Sequence, residues 1–255
     1  MRKNIIILTT GASGSSVLTG LISTQGYWLG EETKKIDFET YENAELVDLN
    51  IRILYASGFK RSDCNDLPPP SIAAIEKLSQ SINLRPFLDF LERCKNHQPW
   101  VWKDPRLSFT IHFWAQLTDL SACRFIFIDR DPYQSYAGLI LSRRVPMSFK
   151  DQIQINRNYT KSCNQFFKDR GLRPFKCTFE DLILDPENLL QKLNSFLELQ
   201  IDLDHLKSIY DGRLFMKRYS KLDFIEAKLI YLFFRYARQD YIRFPRGQQS
   251  GDESK

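Results

Sequence analysis

Asn4-Ile5-Ile6-Ile7-Leu8-Thr9-Thr10-Gly11-Ala12-Ser13-Gly14-Ser15-Ser16-Val17-Leu18 is the stretch that decides the fold. Its four consecutive branched apolar residues, Ile5 to Leu8, predict a short strand buried on both faces. Val17, Leu18, Leu21 and Ile22 then recur at the i, i+3, i+4 spacing of an amphipathic helix. Between strand and helix lie only small or hydroxyl-bearing residues. Such a loop lets the backbone curl close to an anion, with the N–H groups of the loop and helix start pointing at it. Gly11, Ala12, Ser13, Gly14, Ser15 and Ser16 are therefore candidate phosphate-binding residues, and the hydroxyls of Ser13, Ser15 and Ser16 add hydrogen bonds. A plain strand-to-helix turn is the alternative reading. A nucleoside triphosphate loop needs Gly-Lys-Ser/Thr at its end, and no lysine stands there.

Outward from this stretch, three more short runs rich in β-branched or aromatic residues predict strands: Trp100 to Trp102, Phe125 to Ile128 and Phe175 to Thr178. Helical patterns separate them. Leu46, Leu49, Ile53 and Leu54 mark one, and Ile72 to Ile82 and Leu84 to Cys94 read as two more, broken before Pro86. Leu139-Ile140, Phe149 to Asp169, the stripe Leu189 to Leu197 and a last helix from Leu222 to Arg238 complete the pattern. Asp185-Pro186-Glu187 suits an N-cap, a first-turn proline and an early acid. Tyr231, Phe233, Phe234 and Tyr236 of the last helix read as core. Strands alternating with helices predict a three-layer α/β fold, a central parallel sheet flanked by helices. The expected organisation is a single domain over residues 1–243 with a polar tail over 244–255.

Composition narrows the function classes. The 255 residues are 43% hydrophobic and 26% charged, which excludes collagen-like, coiled-coil and disordered chains. A net charge of +5, with no run of five or six like charges, fits a pocket for an anionic small molecule at least as well as a diffuse polyanion surface; charge alone names no partner, and no nucleic-acid partner is expected. Five widely spaced cysteines without a C-x-x-C pair predict neither a disulfide framework nor a zinc site. The three histidines, His97, His112 and His205, stand at no metal-ligand spacing, so no metal is expected. The four-residue apolar run after Met1-Arg2-Lys3-Asn4 is too short for a signal peptide, and no membrane span is predicted. A cytoplasmic location is the expectation.

Three further stretches carry chemistry. Gly30-Glu31-Glu32-Thr33 offers a carboxylate as general base if one lies over the phosphate loop; a solvated acidic face is the alternative. In Trp100-Val101-Trp102-Lys103-Asp104-Pro105-Arg106, Lys103 stands at the carboxyl end of a strand, where open α/β sheets bind ligands and where it neutralises charge on a leaving phosphate. Arg130, in Arg130-Asp131-Pro132 after the third strand, has the fork geometry to clamp a second phosphate. Lys103, Arg106 and Arg130 are the cations expected around an anionic ligand.

Taken together these stretches resemble the sulfotransferases that use 3′-phosphoadenosine 5′-phosphosulfate, chiefly their bacterial and phage branch. The matching residues are Ala12 to Ser16, Leu29-Gly30-Glu31, Tyr41-Glu42-Asn43-Ala44-Glu45, Trp102 to Arg106, Arg130-Asp131-Pro132 and Thr178-Phe179-Glu180-Asp181-Leu182 through Asp185-Pro186 to Phe196-Leu197. They span roughly residues 4 to 200 in family order. The resemblance implies a P-loop-type fold and transfer of a sulfuryl group to an acceptor hydroxyl or amine, a small molecule or glycan, without a metal. It further implies that Ser13 to Ser16 cradle the 5′-phosphosulfate and that Lys103 stabilises the bridging oxygen. Arg130, with Ser135 and the Gly138 position on the next helix, binds the 3′-phosphate, and Glu32 is the base.

Two positions depart from the family. Ala12 stands where relatives carry Arg or Lys, and Gly138 where they carry Ser, with Ser135 and Ser142 nearby. Lys34 or Lys35 is the candidate replacement for the missing loop cation. Two other functions stay open: a nucleotide-binding protein of the same fold without transfer, and a P-loop kinase.

Overall fold

Ile5–Thr9 forms β1 with all five residues buried, as its unbroken apolar run requires. The structure, a computed structural model, describes residues 2–35, 39–142, 145, 147–210 and 220–237. After β1 come α1 (Ser15–Ser23), β2 (Thr33–Lys35), β3 (Glu39–Asn43), α2 (Ala44–Ala56), α3 (Ile72–Lys77) and α4 (Arg85–Asn96). These are followed by β4 (Val101–Lys103), α5 (Leu107–Leu117), β5 (Arg124–Asp129), α6 (Pro132–Ala137), α7 (Phe149–Asp169) and β6 (Phe175–Thr178). Then α8 (Phe179–Leu184), α9 (Pro186–Leu197), α10 (Leu203–Ile209) and α11 (Lys221–Ala237) close the order.

The central sheet has strand order β4-β1-β5-β6. All three pairings are parallel, with Ile5 opposite both Val101 and Arg124, and Ile126 opposite Phe175. Strand alternation divides the core in two. Ile6, Leu8, Trp102, Phe125 and Phe127 join one apolar cluster, packed with α2, α4, α5 and α7. Ile5, Ile7, Val101, Ile126 and Ile128 join the other, packed with α1, α8 and α9. Each fully buried isoleucine contributes about 1.5–3 kcal/mol of transfer free energy. Helices thus cover both faces of a parallel sheet, which is the predicted three-layer α/β architecture.

Several local expectations change. Pro86 falls in the first turn of α4, where its missing N–H costs nothing, so it starts a helix instead of breaking one. The helix expected through Ile82 ends at Lys77 and tightens into a 3₁₀ turn over Leu78–Gln80. Gly138–Ser142 forms a π-helical turn. Asp185 occupies the N-cap of α9, but its carboxylate accepts from the Asn188 side chain and caps no backbone N–H. On α11, Leu222, Ile225, Leu229, Leu232 and Phe233 are exposed, so Phe233 is not core. The tail over 244–255 lies outside the described residues.

The antiparallel hairpin β2–β3 was not expected. Its residues, Thr-Lys-Lys and Glu-Thr-Tyr-Glu-Asn, lack the apolar alternation that marks a half-buried strand. Its position matters, because it folds beside α1 and carries residues to the end of β4.

Candidate functional site

The loop between β1 and α1 is held open by three left-handed residues, Gly11 (φ 77°), Ala12 (φ 47°) and Gly14 (φ 75°). At Gly14 the requirement is double, since a Cβ there would lie 1.8 Å from Cδ2 of Phe179. Ser13 is buried, its hydroxyl hydrogen-bonded to that of Thr9. The Ser108 hydroxyl ties the loop's base to α5, donating to the Thr9 carbonyl at 2.6 Å and accepting from the Thr9 N–H at 3.2 Å. Among the described residues, the N–H groups of Ala12, Ser13, Gly14, Ser15 and Ser16 donate to no protein acceptor. Five consecutive N–H groups without a protein acceptor at a helix start are the donors that binding an anion requires.

Lys103, at the end of β4, is 2% exposed on its side chain. It shares the sheet face of Val101 and reaches α1, where Nζ donates to Ser16 Oγ at 3.0 Å. Its remaining two N–H bonds go to the Thr40 carbonyl at 3.1 Å and Glu42 Oε1 at 2.7 Å. All three ammonium donors are thereby used. The hairpin is brought close because α1 has a glycine beneath it: a Cβ on Gly20 would sit 2.9 Å from the Tyr41 ring. Tyr41 itself adopts φ 55°, a left-handed conformation that costs about 1–2 kcal/mol. Burial pushes its phenol up, with Glu39 adding to the shift.

Arg130, 7% exposed, lies on the opposite flank of the loop. One guanidinium nitrogen donates to the Ala12 carbonyl at 3.2 Å, and the group sits 5.5 Å above the Phe179 ring. Glu180 stands 3.9 Å from its Nε. The preceding Asp129 accepts from Thr10 Oγ1 at 2.7 Å and from the Arg130 N–H at 2.8 Å, joining the ends of β1 and β5. On α6, Ser135 is 1% exposed and its hydroxyl has no hydrogen-bond partner among the described residues. Gly138 ends α6 in right-handed helical geometry. Lys103, Ser13 to Ser16 and Arg130 are thus gathered around one loop.

Arg106 is not part of that gathering. It donates to Asp104 Oδ1 at 2.9 Å and to the Ser62 carbonyl at 2.6 Å. Burial works against its charge, but Asp104, Cys64 and Glu42 together raise its pKa. Asp104, fully buried, also accepts from Asn50 Nδ2 at 2.8 Å, and Asn50 in turn accepts from Thr110 and Trp114. The Asp-Pro-Arg segment after Lys103 therefore locks the β4–α5 turn.

Glu32 is exposed. With Glu31, Asn43, Glu45, Asp48 and Arg52 it lines a cavity of about 480 Å³ beside the hairpin. Lys34 pairs with Asp48 at 3.1 Å and Lys35 with Glu39 at 3.5 Å. Sequence reasoning missed Glu42, Thr40, Thr10 and Asp129. Glu42 lay inside the quoted Tyr41-Glu42-Asn43 stretch, and Asp129 immediately precedes Arg130; the available signal was an acid next to a motif residue.

No family model matches the chain. No curated protein sequence matches it. Among solved structures, the chain is similar to the sulfotransferase domain from the curacin biosynthetic pathway at 17% identity and TM-score 0.48, over 85% of this chain and 81% of that one. The sulfotransferase domain from the Synechococcus PCC 7002 olefin synthase gives 16% identity and TM-score 0.47, over 91% of this chain and 94% of that one. Retinol dehydratase in a complex with retinol and PAP gives 13% and 0.40, over 83% of this chain and 65% of that one.

Proposed function

We propose that this protein is a sulfotransferase, moving a sulfuryl group from 3′-phosphoadenosine 5′-phosphosulfate to an acceptor hydroxyl or amine on a small molecule or glycan. The observation that carries this reading is the run of five open N–H groups from Ala12 to Ser16, bracketed by Lys103 on Ser16 and Arg130 on Ala12. In it, Gly11 to Ser16 hold the 5′-phosphosulfate. Arg130 and the unpartnered hydroxyl of Ser135 serve the 3′-phosphate, with Gly138 supplying only backbone.

The reaction forms a bond from the acceptor oxygen or nitrogen to sulfur while the bond from sulfur to the bridging oxygen of the 5′-phosphate breaks. The electron pair leaves on that oxygen, beside Lys103, and the acceptor proton passes to a carboxylate. Two carboxylates compete for that role. Glu32 is the base that the sequence resemblance implies. Glu42, which accepts from Lys103 Nζ at 2.7 Å, is the carboxylate that stands beside the proposed leaving oxygen.

A second reading, nucleotide binding without transfer, draws on Ala12 and on the pairing of Lys34 with Asp48 and of Lys35 with Glu39. Adenosine 3′,5′-bisphosphate raises the melting temperature under both readings, by the equivalent of about 2.7 kcal/mol at a hundredfold excess over its Kd. No shift with the bisphosphate overturns both, and a preferential shift with ATP and magnesium favours a kinase. Labelled sulfuryl transfer then separates enzyme from binder. Glu42→Gln is expected to lose more turnover than Glu32→Gln, with bisphosphate binding retained in each.

A further inference from the structure

The long helix α7 buries one face, but the chemistry of that face changes along its length. Its C-terminal half is largely apolar: Phe166 packs on Phe125 at the start of β5, and Cys163 lies against the Ser108 carbonyl. Its N-terminal half buries two amides. Gln152 is 4% and Asn156 8% exposed. Gln152 Nε2 donates to Asn156 Oδ1 at 2.8 Å, and among the described residues Asn156 Nδ2 has no hydrogen-bond partner.

The direction of α7 says where this orphan donor sits. Phe149, its first residue, stacks on Tyr133 of α6, which follows the carboxyl end of β5. Phe166 meets the amino end of the same strand, so α7 runs antiparallel to β5. Cys163 is level with Ser108, whose hydroxyl bonds the last residue of β1. Asn156, seven residues earlier in the helix, lies about 10 Å further toward and beyond the strand ends. That layer is the one Thr10 and Asp129 enter, bonded to each other at 2.7 Å.

A buried stripe that turns to amides as it passes the carboxyl edge of a parallel sheet, and leaves one buried donor unpaired, calls for a ligand. We propose that Asn156 Nδ2 donates to an oxygen of the acceptor, that Gln152 is the positioning residue that fixes the amide, and that the acceptor is a neutral hydroxyl-bearing molecule such as a sugar. This inference rests on the sulfotransferase reading. An N–H donor requires a lone pair, which a hydroxyl oxygen supplies and a protonated amine lacks. A wholly apolar acceptor would leave Nδ2 unpaired in the complex. Asn156 binds the acceptor and takes no proton, so the bond exchange at sulfur is unaltered.

The test uses the full chain with Asn156→Leu and Asn156→Asp, the second keeping side-chain size and polarity if the first does not fold. Bisphosphate binding is measured by calorimetry, and labelled transfer is followed to a panel of methyl glycosides and to a panel of alkylamines. The wild type is expected to use glycosides over amines. Both variants are expected to raise the glycoside KM about tenfold, the weight of one lost hydrogen bond to substrate, with the bisphosphate Kd within about twofold of wild type. Gln152→Leu shifts KM in the same direction by less. An unchanged glycoside KM in both variants, transfer to amines only, or transfer to neither panel while the bisphosphate binds overturns this inference. A wild type that binds no bisphosphate overturns the sulfotransferase reading first, and this inference with it.

Discussion

Lys103 Nζ lies 2.7 Å from Glu42 Oε1, joining the end of the buried edge strand β4 to a hairpin that sits outside the central sheet. The lysine is nearly inaccessible and the glutamate 13% exposed. Removing either partner leaves the other charge poorly solvated, which costs more than the pair contributes. Glu42→Gln and Lys103→Met are therefore each expected to lower stability by about 2–3 kcal/mol, with a coupling of about 1–2 kcal/mol in the double variant. Urea unfolding of the four proteins in the cycle reads this; strict additivity would show that the two side chains do not interact.

Gly11 and Gly14 share a left-handed backbone but not a neighbourhood. Nothing lies within 4 Å of a Cβ built on Gly11, whereas one on Gly14 collides with the Phe179 ring. Gly11→Ala is expected to cost about 1 kcal/mol, the conformational penalty alone. Gly14→Ala adds overpacking, for a total of about 3–4 kcal/mol. Equal midpoints for the two variants in denaturant would contradict the packing argument.

His112 shows how burial sets an acid limit. Desolvation lowers its pKa from the ordinary 6.5, against a hydrogen bond to Ser162 that raises it. Glu76 stands 3.8 Å from the other ring nitrogen, and burial still dominates. Between the folded pKa and 6.5 the unfolded chain binds a proton that the folded chain does not. Stability from this residue is thus complete above pH 6.5 and lost as pH falls below it, at up to about 1.4 kcal/mol per pH unit. In His112→Gln the fall in melting temperature between about pH 6.5 and 5 is expected to be shallower than in wild type.

The thiols should be quiet in the native state. All five cysteines are free. Burial pushes the thiols of Cys94, Cys123, Cys163 and Cys177 up to about 12 and raises that of Cys64 well above its ordinary value. A disulfide reagent at pH 8 is expected to titrate all five only after denaturant is added. Rapid reaction of Cys64 or Cys163 in the folded protein would contradict their burial.

The parallel sheet and the small-residue loop after β1 are legible in the sequence because their determinants are local. A strand buried on both faces must be a continuous apolar run, and a backbone cradle needs consecutive small residues, so Ile5 to Ser16 declare themselves. Glu42 and Asn156 did not, since a charged hairpin and a buried amide carry no periodic signature. Lys103 and Glu42 are 61 positions apart and Thr10 and Asp129 are 119, so no local pattern pairs them. Only packing decided that Arg106 is consumed by Asp104 while Arg130 reaches the loop, although each arginine follows a strand end in a similar Asp-Pro context. Sequence determined which backbone forms the small-residue loop after β1; tertiary structure decided which charges stand beside it, because that depends on partners brought in from other layers.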